Sequence, residues 1–476
     1  MSKQQHTKSQ EIKKKERGRL QMELKAKEKF SYGIGAVGKD MVYMLSASYI
    51  LYYYQDILGI NALFMGVVLM IARVFDAVND PFMGVIVAKT KTKWGQFRPW
   101  LFGGTLLNAF ILFAMFAVPE GLSGNQLKAY SAILYILWGV TYTMMDIPYW
   151  SMIPAFTSNS KDRESLSQLA RSCAGVGSAL ITVITMKCVF MLGGGNERFG
   201  FKWFALIVSV FFFAAEAICC MNIKEKSTVD METSSIKDMF KALFANDQAM
   251  TVVIAIVLVN SAMYITSNLL IYFFKYDFGG EGWYNSYTLF NTFGGATQIL
   301  SMMVLYPIVR KFLSALQVFR LSLGMAFVGY VALLAIACIN MSNFALLCIP
   351  GFLIFAALGM LTVLTTLFLA NSVDYGEVKN GRRDESVIFS MQTFVVKLAS
   401  GVAVLIASVC LQICNISKDT GDGVAAVLEP QAAIILRMTM SVIPIILIVC
   451  AAILFAKRFI LTEEKVEELA EILKRK

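Results

Sequence analysis

Long, almost uncharged apolar blocks recur along the whole chain, and they limit its possible folds more than any other feature. The composition agrees, because 57% of the residues are hydrophobic and only 16% are charged. A helix needs about 20 mostly apolar residues to cross a bilayer, and roughly twelve blocks are long enough. We therefore predict an all-α membrane protein with twelve transmembrane helices, near residues 33–56, 63–88, 98–118, 129–153, 165–192, 201–221, 248–275, 285–308, 317–338, 344–370, 385–413 and 432–458.

The net charge of +10 is distributed unevenly. Lysine and arginine cluster at both chain ends and in alternate loops between the blocks, whereas the intervening loops carry few. By the positive-inside rule, this pattern predicts a multi-pass protein of the cytoplasmic (inner) membrane with both termini in the cytoplasm. Residues 1–30 are basic and lack the apolar core of a signal peptide, so insertion is expected to depend on the first span. The charge therefore predicts a bilayer partner and no nucleic-acid partner.

A polar segment divides the apolar blocks six and six. Two six-helix bundles joined by such a linker are typical of the major facilitator fold, in which the halves are parallel repeats. The tripeptides Arg163-Glu-Ser165 and Asp384-Glu-Ser386, at the same place in each half, support a repeat. We also expect an amphipathic helix from Thr462 onward. The predicted divisions are a basic cytoplasmic tail (1–30), an N-terminal bundle (31–221), a cytoplasmic linker (222–247), a C-terminal bundle (248–460) and a cytoplasmic tail (461–476).

The second apolar block contains polar residues at helical spacing. Asp76, Asn79 and Asp80 lie at i, i+3 and i+4, so they share one face of a helix. Pro81 follows, and its missing N–H leaves the carbonyl of Ala77 without a helical partner. Oxygen ligands suit a hard monovalent cation or a proton, and ionisable residues inside spans usually mark ion or substrate paths. The block therefore predicts a cation site, with Arg73 as an internal counterion to Asp76.

The fourth block brings Thr143, Asp146 and Trp150 to one face of a helix. A carboxylate beside an indole ring can hold a sugar, since the carboxylate accepts bonds from hydroxyl groups while the ring covers the C–H side. The alternative for Trp150 is an anchor at the membrane interface. We favour the sugar-binding interpretation because Asp146 lies one turn away.

Other ionisable residues also enter apolar blocks. Asp40 is expected to face a cavity, whereas Lys39 could instead extend its ammonium group to the surface. Glu216 receives no role, and is interpreted as a protonated residue that faces either lipid or the packed side of another helix. With Lys39 set aside, four deep acids (Asp40, Asp76, Asp80 and Asp146) face three bases (Arg73, Arg171 and Lys397). One bound Na⁺, Li⁺ or proton would balance this set.

Enzymatic chemistry is not expected from this sequence. Its one histidine, His6, lies in the N-terminal tail, and GxSxG is absent, so no nucleophile–base set can be assembled. The nine cysteines are scattered without CxxC spacing, which argues against a zinc site or a disulfide framework. No cofactor is predicted apart from a coupling cation.

Six motifs follow one another along the chain: Tyr32–Asp40, Asp76–Pro81, Trp94–Trp100, Met145–Trp150, Val373–Glu377 and Gln392–Lys397. Together they resemble the glycoside–pentoside–hexuronide:cation symporter family, and within it the melibiose-transporting members. The similarity runs from about Phe30 to Arg458. Two departures concern Thr362, which aligns with a tryptophan of the tenth helix in those members, and Asn371, which aligns with an acid.

The resemblance implies coupled uptake of a sugar with Na⁺, Li⁺ or H⁺ by a twelve-helix carrier that functions as a monomer. It implies a cation site at Asp76, Asn79, Asp80 and Thr143. The sugar contacts that it implies are Lys39, Asp40, Asp146, Trp150, Arg171, Gln392, Thr393 and Lys397.

Three functions remain open from the sequence. The preferred one is a Na⁺-coupled symporter for a galactoside such as melibiose. The second is a carrier for a hexuronide, a pentoside or a β-glucoside, although a uronide carboxylate would be repelled by Asp146. The third is a transport-inactive sugar sensor, against which the intact cation motif argues.

Overall fold

Twelve long helices, α1 to α12, make up most of the computed structural model, which describes residues 25–156, 160–223, 225, 236–278, 282–339, 343–381, 385–416 and 428–474. The all-α fold class predicted from the sequence is confirmed. Part of the N-terminal tail lies outside the described residues. The helices α1 to α12 are Ala26–Tyr52, Ala62–Lys89, Arg98–Phe116, Gly124–Ser151, Ser160–Gly193, Glu197–Asn222, Asp247–Tyr272, Trp283–Leu300, Ala315–Ile339, Phe344–Asn380, Glu385–Ile413 and Pro430–Arg458.

Ten helices in the described part of the chain are long and apolar enough to cross a membrane. The two long helices outside this set are α1 and α4. Both carry predicted site residues, Lys39 and Asp40 on α1 and Asp146 on α4. Helix α2 also carries ionisable residues, Arg73, Asp76 and Asp80, yet it remains apolar enough to belong to the ten.

Asparagine side chains begin four of the helices. Asn61, Asn196, Asn246 and Asn343 each accept a hydrogen bond from a backbone N–H of the first turn, at 3.0 Å. Such caps satisfy N–H groups that have no partner within the helix. The starts of α2, α6, α7 and α10 are thus fixed locally by the sequence.

The same helix neighbours recur in the two halves, α1–α6 and α7–α12. In the first half α1 packs against α5 and α6, and α3 packs against α4 and α6. In the second half α7 packs against α11 and α12, and α9 packs against α10 and α12. This recurrence is the parallel repeat of the major facilitator fold.

The two halves contact each other along α2 with α11 and along α5 with α8. Gly66 of α2 faces Ser408 of α11 so closely that an added methyl group would overlap the serine side chain. Small residues therefore let these helices approach, as is common between membrane helices.

The structure adds one helix to those predicted, lengthens a second and confirms a third. A helix over Ile236–Ala245 lies inside the predicted linker, and sequence reasoning missed it. Helix α10 continues to Asn380 rather than ending near residue 370. The amphipathic C-terminal helix is confirmed over Glu463–Lys474. The domain boundaries given in the sequence analysis stay a prediction.

Candidate functional site

Two clusters of polar side chains meet at helix α4, and we name each cluster after its central acid. The Asp146 cluster contains Lys39, Asp40, Asp146 and Trp150. The Asp80 cluster contains Asp76, Asp80, Thr143 and Lys397. Thr143 and Asp146, one turn apart on α4, each belong to a different cluster.

Lys39 is the centre of contacts in the Asp146 cluster. Only 3% of this residue is exposed, and its Nζ lies 2.6 Å from Asp146 Oδ1 and 3.4 Å from Asp40 Oδ2. Tyr142 Oη lies 3.3 Å from the same nitrogen. The alternative in which Lys39 extends to the surface is therefore wrong, because the lysine is held inside the bundle by two carboxylates.

Trp150 is tied to the same acid, since its Nε1 donates a hydrogen bond to Asp146 Oδ1 at 3.1 Å. Lys39 Nζ lies 5.1 Å from the centre of the indole ring, and the Arg171 guanidinium lies 5.3 Å from it. Such cation–π contacts hold the ring in place. Arg171 is exposed, and it forms no ion pair within the described residues.

Two tyrosines hold α1 against α4 beside this cluster. The Tyr32 hydroxyl donates to the Tyr149 carbonyl and the Tyr149 hydroxyl donates to the Tyr32 carbonyl, both at 2.6 Å. Their rings stack with centroids 4.4 Å apart. This reciprocal pair fixes the two helices relative to each other, and so fixes Lys39 opposite Asp146.

Asp80 is the centre of the second cluster. Thr143 donates a hydrogen bond to Asp80 Oδ1 at 3.2 Å, and Lys397 of α11 forms an ion pair with Asp80 Oδ2. The resemblance implied that Lys397 is a sugar contact, but here it pairs with an acid of the proposed cation site. This ion pair joins the two halves of the protein.

Asp76 lies one turn before Asp80. Its Oδ2 is 4.0 Å from the Arg73 guanidinium, which agrees with Arg73 as its counterion. Its Oδ1 is buried without a hydrogen-bond partner, and an added methyl group at Gly139 of α4 would overlap that oxygen. A buried, unbonded carboxylate oxygen is a group that a cation could satisfy. Asn79, on the same face of α2, is half-buried.

The other predicted residues of α11 lie on the same helix as Lys397. Gln392 is half-buried. Thr393 is exposed, and its hydroxyl donates to the Phe389 carbonyl of its own helix. Within the described residues, neither side chain forms a hydrogen bond to a residue of the Asp146 cluster.

The sequence-based charge count is corrected by the burial of Lys39. With Lys39 added to the bases, the same list of residues holds four acids and four bases, so the count itself leaves no acid in excess. Charge balance therefore no longer argues for a bound cation, and the argument must come from the geometry of Asp76 and Asp80.

Glu216 of α6 lies outside both clusters. It is fully buried, and neither carboxylate oxygen has a hydrogen-bond partner. An added methyl group at Gly35 of α1 would come within 3.1 Å of Glu216 Oε2. This contact identifies Glu216 as a residue packed between helices, one of the two interpretations given to it from the sequence.

A third cluster, missed by sequence reasoning, joins the halves at the end of the bundle opposite the chain termini. We call Tyr52, Asp56, Glu197, Lys275 and Tyr276 the Asp56 cluster. Lys275 Nζ lies 2.6 Å from Asp56 Oδ2, 2.8 Å from the Tyr52 hydroxyl and 3.6 Å from Glu197 Oε1. Tyr276 donates to Asp56 Oδ1.

The Asp56 cluster is built from matching segments of the two halves. Helix α1 ends in a π-helical turn over Tyr53–Ile57, and α7 ends in another over Phe273–Phe278. The residues before these turns are Tyr52 and Tyr272. In the sequence, only this repeated aromatic pattern could have indicated the Asp56 cluster. The charged residues Asp56 and Lys275 gave no such indication, because they resemble ordinary charges at helix ends. Both are buried, at 1% and 2% exposure.

The donor types in these clusters suit a hard cation better than a transition metal. Within the described residues, no group of three or more His, Cys, Asp or Glu side chains is arranged to hold a metal ion. Carboxylate and hydroxyl oxygens from α2 and α4 are the groups that converge at the Asp80 cluster.

Comparison with known proteins finds transport proteins among the relatives of this chain. The raffinose carrier protein of Pediococcus pentosaceus is 28% identical over 465 residues, covering 93% of this chain and 71% of the carrier. The inner membrane symporter YicJ of Escherichia coli (strain K12) is 28% identical over 384 residues, covering 79% of this chain and 80% of YicJ.

The fold also matches solved transporter structures. One, from work on substrate recognition in proton dependent oligopeptide transporters, superposes with a TM-score of 0.66 at 14% identity, covering 94% of this chain and 100% of the other. At this identity the likeness shows the fold alone. A sequence model of the MFS/sugar transport protein family matches residues 31–463, and this multi-pass membrane protein belongs to that family.

Proposed function

We propose that the protein is a cation-coupled sugar symporter, which takes up a glycoside with Na⁺, or with Li⁺ or H⁺, by alternating access. The observation that carries the proposal is the position of Thr143 and Asp146 on one face of α4, each in a different cluster. One helix can then transmit a change at the cation site to the sugar site. The names of the raffinose carrier protein and of the symporter YicJ support the same class of function.

The Asp80 cluster is the proposed cation site. Asp76 contributes an unbonded buried oxygen, and Asp80 contributes a carboxylate that is now shared by Thr143 and Lys397. A cation would compete with Lys397 for Asp80, and so would weaken the ion pair that joins α2 to α11. Cation binding is thereby linked to the contact between the two halves.

The Asp146 cluster is the proposed sugar site. Asp146 already accepts from Lys39 and from Trp150, so sugar hydroxyl groups would exchange with existing hydrogen bonds rather than bind a free acid. Such exchange favours a ligand with several adjacent hydroxyl groups. We expect a neutral glycoside, such as the galactosides raffinose and melibiose. A neutral ligand leaves the net charge of the site unchanged, because Lys39 and Arg171 already offset Asp40 and Asp146.

The Asp56 cluster is the proposed gate at the opposite end of the bundle. Alternating access requires the halves to separate there, and the Asp56–Lys275 ion pair spans that junction. With both termini in the cytoplasm, this end would face outward. Inward movement of one positive charge at about 100 mV supplies roughly 2.3 kcal/mol, enough for about fifty-fold accumulation of a neutral solute.

Uptake into proteoliposomes tests the proposal. Purified protein would be offered labelled raffinose, melibiose, lactose, a methyl glucuronide and a methyl xyloside, each under an imposed Na⁺, Li⁺ or H⁺ gradient. We expect accumulation of a neutral galactoside under the Na⁺ gradient, and its loss when an ionophore removes the gradient. Equal uptake with and without every gradient would contradict coupling, and no transport of any sugar would favour a sensor.

A hexuronide is the second candidate, because Arg171 is exposed beside Trp150 and has no carboxylate partner among the described residues. Lys39 also offsets the charge of Asp146, which weakens the repulsion expected from the sequence. Preferential uptake of the glucuronide, abolished in Arg171→Gln, would identify this substrate class. Arg171→Gln should affect a neutral galactoside less.

A further inference from the structure

The outer surface of the C-terminal half carries a groove between α9 and α12, with a volume of about 380 Å³. Its walls are almost entirely apolar, and one charged residue, Arg320, lines it near the end where α9 begins. We call it the Arg320 groove. Its lining residues include Phe319, Arg320, Gly324, Phe327, Ile453 and Phe455.

A cluster of packed aromatic rings forms the floor of the Arg320 groove. The Phe319 and Phe455 rings lie 4.2 Å apart, and the Phe368 ring lies 5.2 Å from that of Phe455. Phe319 is fully buried and Phe455 is 4% exposed, so the floor is well supported from behind. The groove is therefore preformed, and it does not depend on a mobile side chain.

The wall of the groove is open at Gly324. An ideal methyl group built at Gly324 meets no atom within 4 Å, so this position leaves room beside the helix. Phe327 is 39% exposed and Ile453 is 50% exposed. An apolar chain lying along Gly324 would cover both side chains.

Arg320 differs from Arg437 and Arg310, two other arginines of this half. Arg437 holds Asp277 through two hydrogen bonds, and Arg310 holds Glu463 at 2.8 Å. Arg320 is exposed and makes no ion pair or hydrogen bond through its side chain in the part of the chain that the structure describes. An arginine fork without a carboxylate partner suits the oxygens of a phosphate group.

One acid lies at the start of α9, where Glu463 accepts a hydrogen bond from the Ala315 N–H at 3.0 Å and pairs with Arg310. Two further basic residues lie beside the groove. Lys457 and Arg458 lie in the last turn of α12, directly after the groove residue Ala456. Both are exposed. Basic pockets between membrane helices bind anionic lipid headgroups when they lie at headgroup depth.

We infer that the Arg320 groove binds one anionic phospholipid, whose phosphate pairs with Arg320 while an acyl chain lies along Gly324 over the aromatic floor. The site lies on the outer face of the C-terminal half, away from the Asp80 and Asp146 clusters. It does not depend on which sugar or cation is transported.

Native mass spectrometry of the detergent-purified protein tests this inference. Phosphatidylglycerol and phosphatidylcholine with the same acyl chains would be titrated against the wild type, Arg320→Gln and Arg320→Lys. The matched control is Lys202→Gln, which removes one exposed positive charge from α6. We expect the wild type to retain one phosphatidylglycerol tightly. Retention should be about fivefold weaker in Arg320→Gln, and Arg320→Lys should weaken it less than Arg320→Gln does.

A second variant tests the apolar part of the groove. Gly324→Leu should reduce phosphatidylglycerol retention by filling the groove, whereas Gly295→Leu on α8, which likewise adds to open space, should not. Thermal unfolding with inorganic phosphate alone should show no stabilisation, because phosphate lacks the chain. Equal retention of both lipids by the wild type, unchanged retention in Arg320→Gln, or stabilisation by phosphate alone would overturn the inference.

Discussion

Thr143 and Asp146 stand one turn apart on α4, yet they bond to residues of different helices and different clusters. Thr143 donates to Asp80 of α2 at 3.2 Å, while Asp146 holds Lys39 of α1 at 2.6 Å. A rotation or shift of α4 therefore changes both bonds together. This short connection is the physical basis on which we expect cation and sugar binding to be coupled.

Asp146→Asn should weaken sugar binding by about tenfold to a hundredfold, because a hydrogen bond to a charged group is worth about 1.5–3 kcal/mol. The measurement is calorimetric titration of sugar into purified protein in saturating Na⁺. Glu216→Gln, at a buried acid outside both clusters, is the control and should bind sugar as the wild type does. Near-normal affinity in Asp146→Asn would make the acid structural.

Gly139→Ala should reduce the effect of Na⁺ while leaving sugar binding without Na⁺ largely intact. The added methyl group overlaps Asp76 Oδ1 and would displace this carboxylate. The measurement is the Na⁺ concentration that gives half-maximal stimulation of sugar binding. Gly103→Ala on α3, where a methyl group meets nothing within 4 Å, is the control. An unchanged Na⁺ requirement would remove Asp76 from the cation site.

Asp80→Asn should abolish Na⁺ stimulation and lower the thermal stability, because Lys397 loses its ion-pair partner. Adding Lys397→Gln should restore stability without restoring the Na⁺ response. Thermal unfolding, followed with and without Na⁺, separates the two effects. Asp76→Cys is expected to lose Na⁺ stimulation as well. Na⁺-dependent accumulation retained in both the Asp80 and Asp76 variants would contradict the assignment.

Breaking the buried Asp56–Lys275 pair should open the end of the bundle opposite the termini. Removing one partner of a buried ion pair costs about 3–5 kcal/mol, whereas removing both costs less. Ser178 of α5 is half-buried, and its hydroxyl lies 3.5 Å from Asp40 Oδ1. Asp56→Asn or Lys275→Gln should therefore speed labelling of a Ser178→Cys reporter by an impermeant maleimide from that side. The double variant should label more slowly than either single one.

Asp277→Asn provides the control for the opening experiment, because its partner Arg437 lies in the same half and their pair does not bridge the junction. It should leave reporter labelling unchanged. If the two single variants label as slowly as the wild type, the Asp56 cluster is not a gate.

Glu216→Gln should leave the thermal stability close to that of the wild type, since a fully buried carboxylate without partners is too costly to hold as an anion. Infrared spectra at neutral pH should show the C=O band of a protonated carboxylic acid in the wild type, reduced in the variant. Identical bands in both proteins would indicate that Glu216 is ionised.

The sequence by itself determined the helices and the polar faces on them. Apolar block length predicted the long helices, and helical spacing placed Thr143, Asp146 and Trp150 on one face of α4. Both are local properties, because hydrogen bonds within a helix and its periodicity depend on residues a few positions apart. The all-α class follows from the same information.

Only the tertiary structure decided which charges meet. Lys39 could have reached the surface, but it is buried because Asp146 of another helix lies opposite it. Asp56 and Lys275 gave no local signal, yet packing of the two halves buries them together. The energy of a buried charge depends on its partner and on the exclusion of water, and both are set by residues far away in the chain.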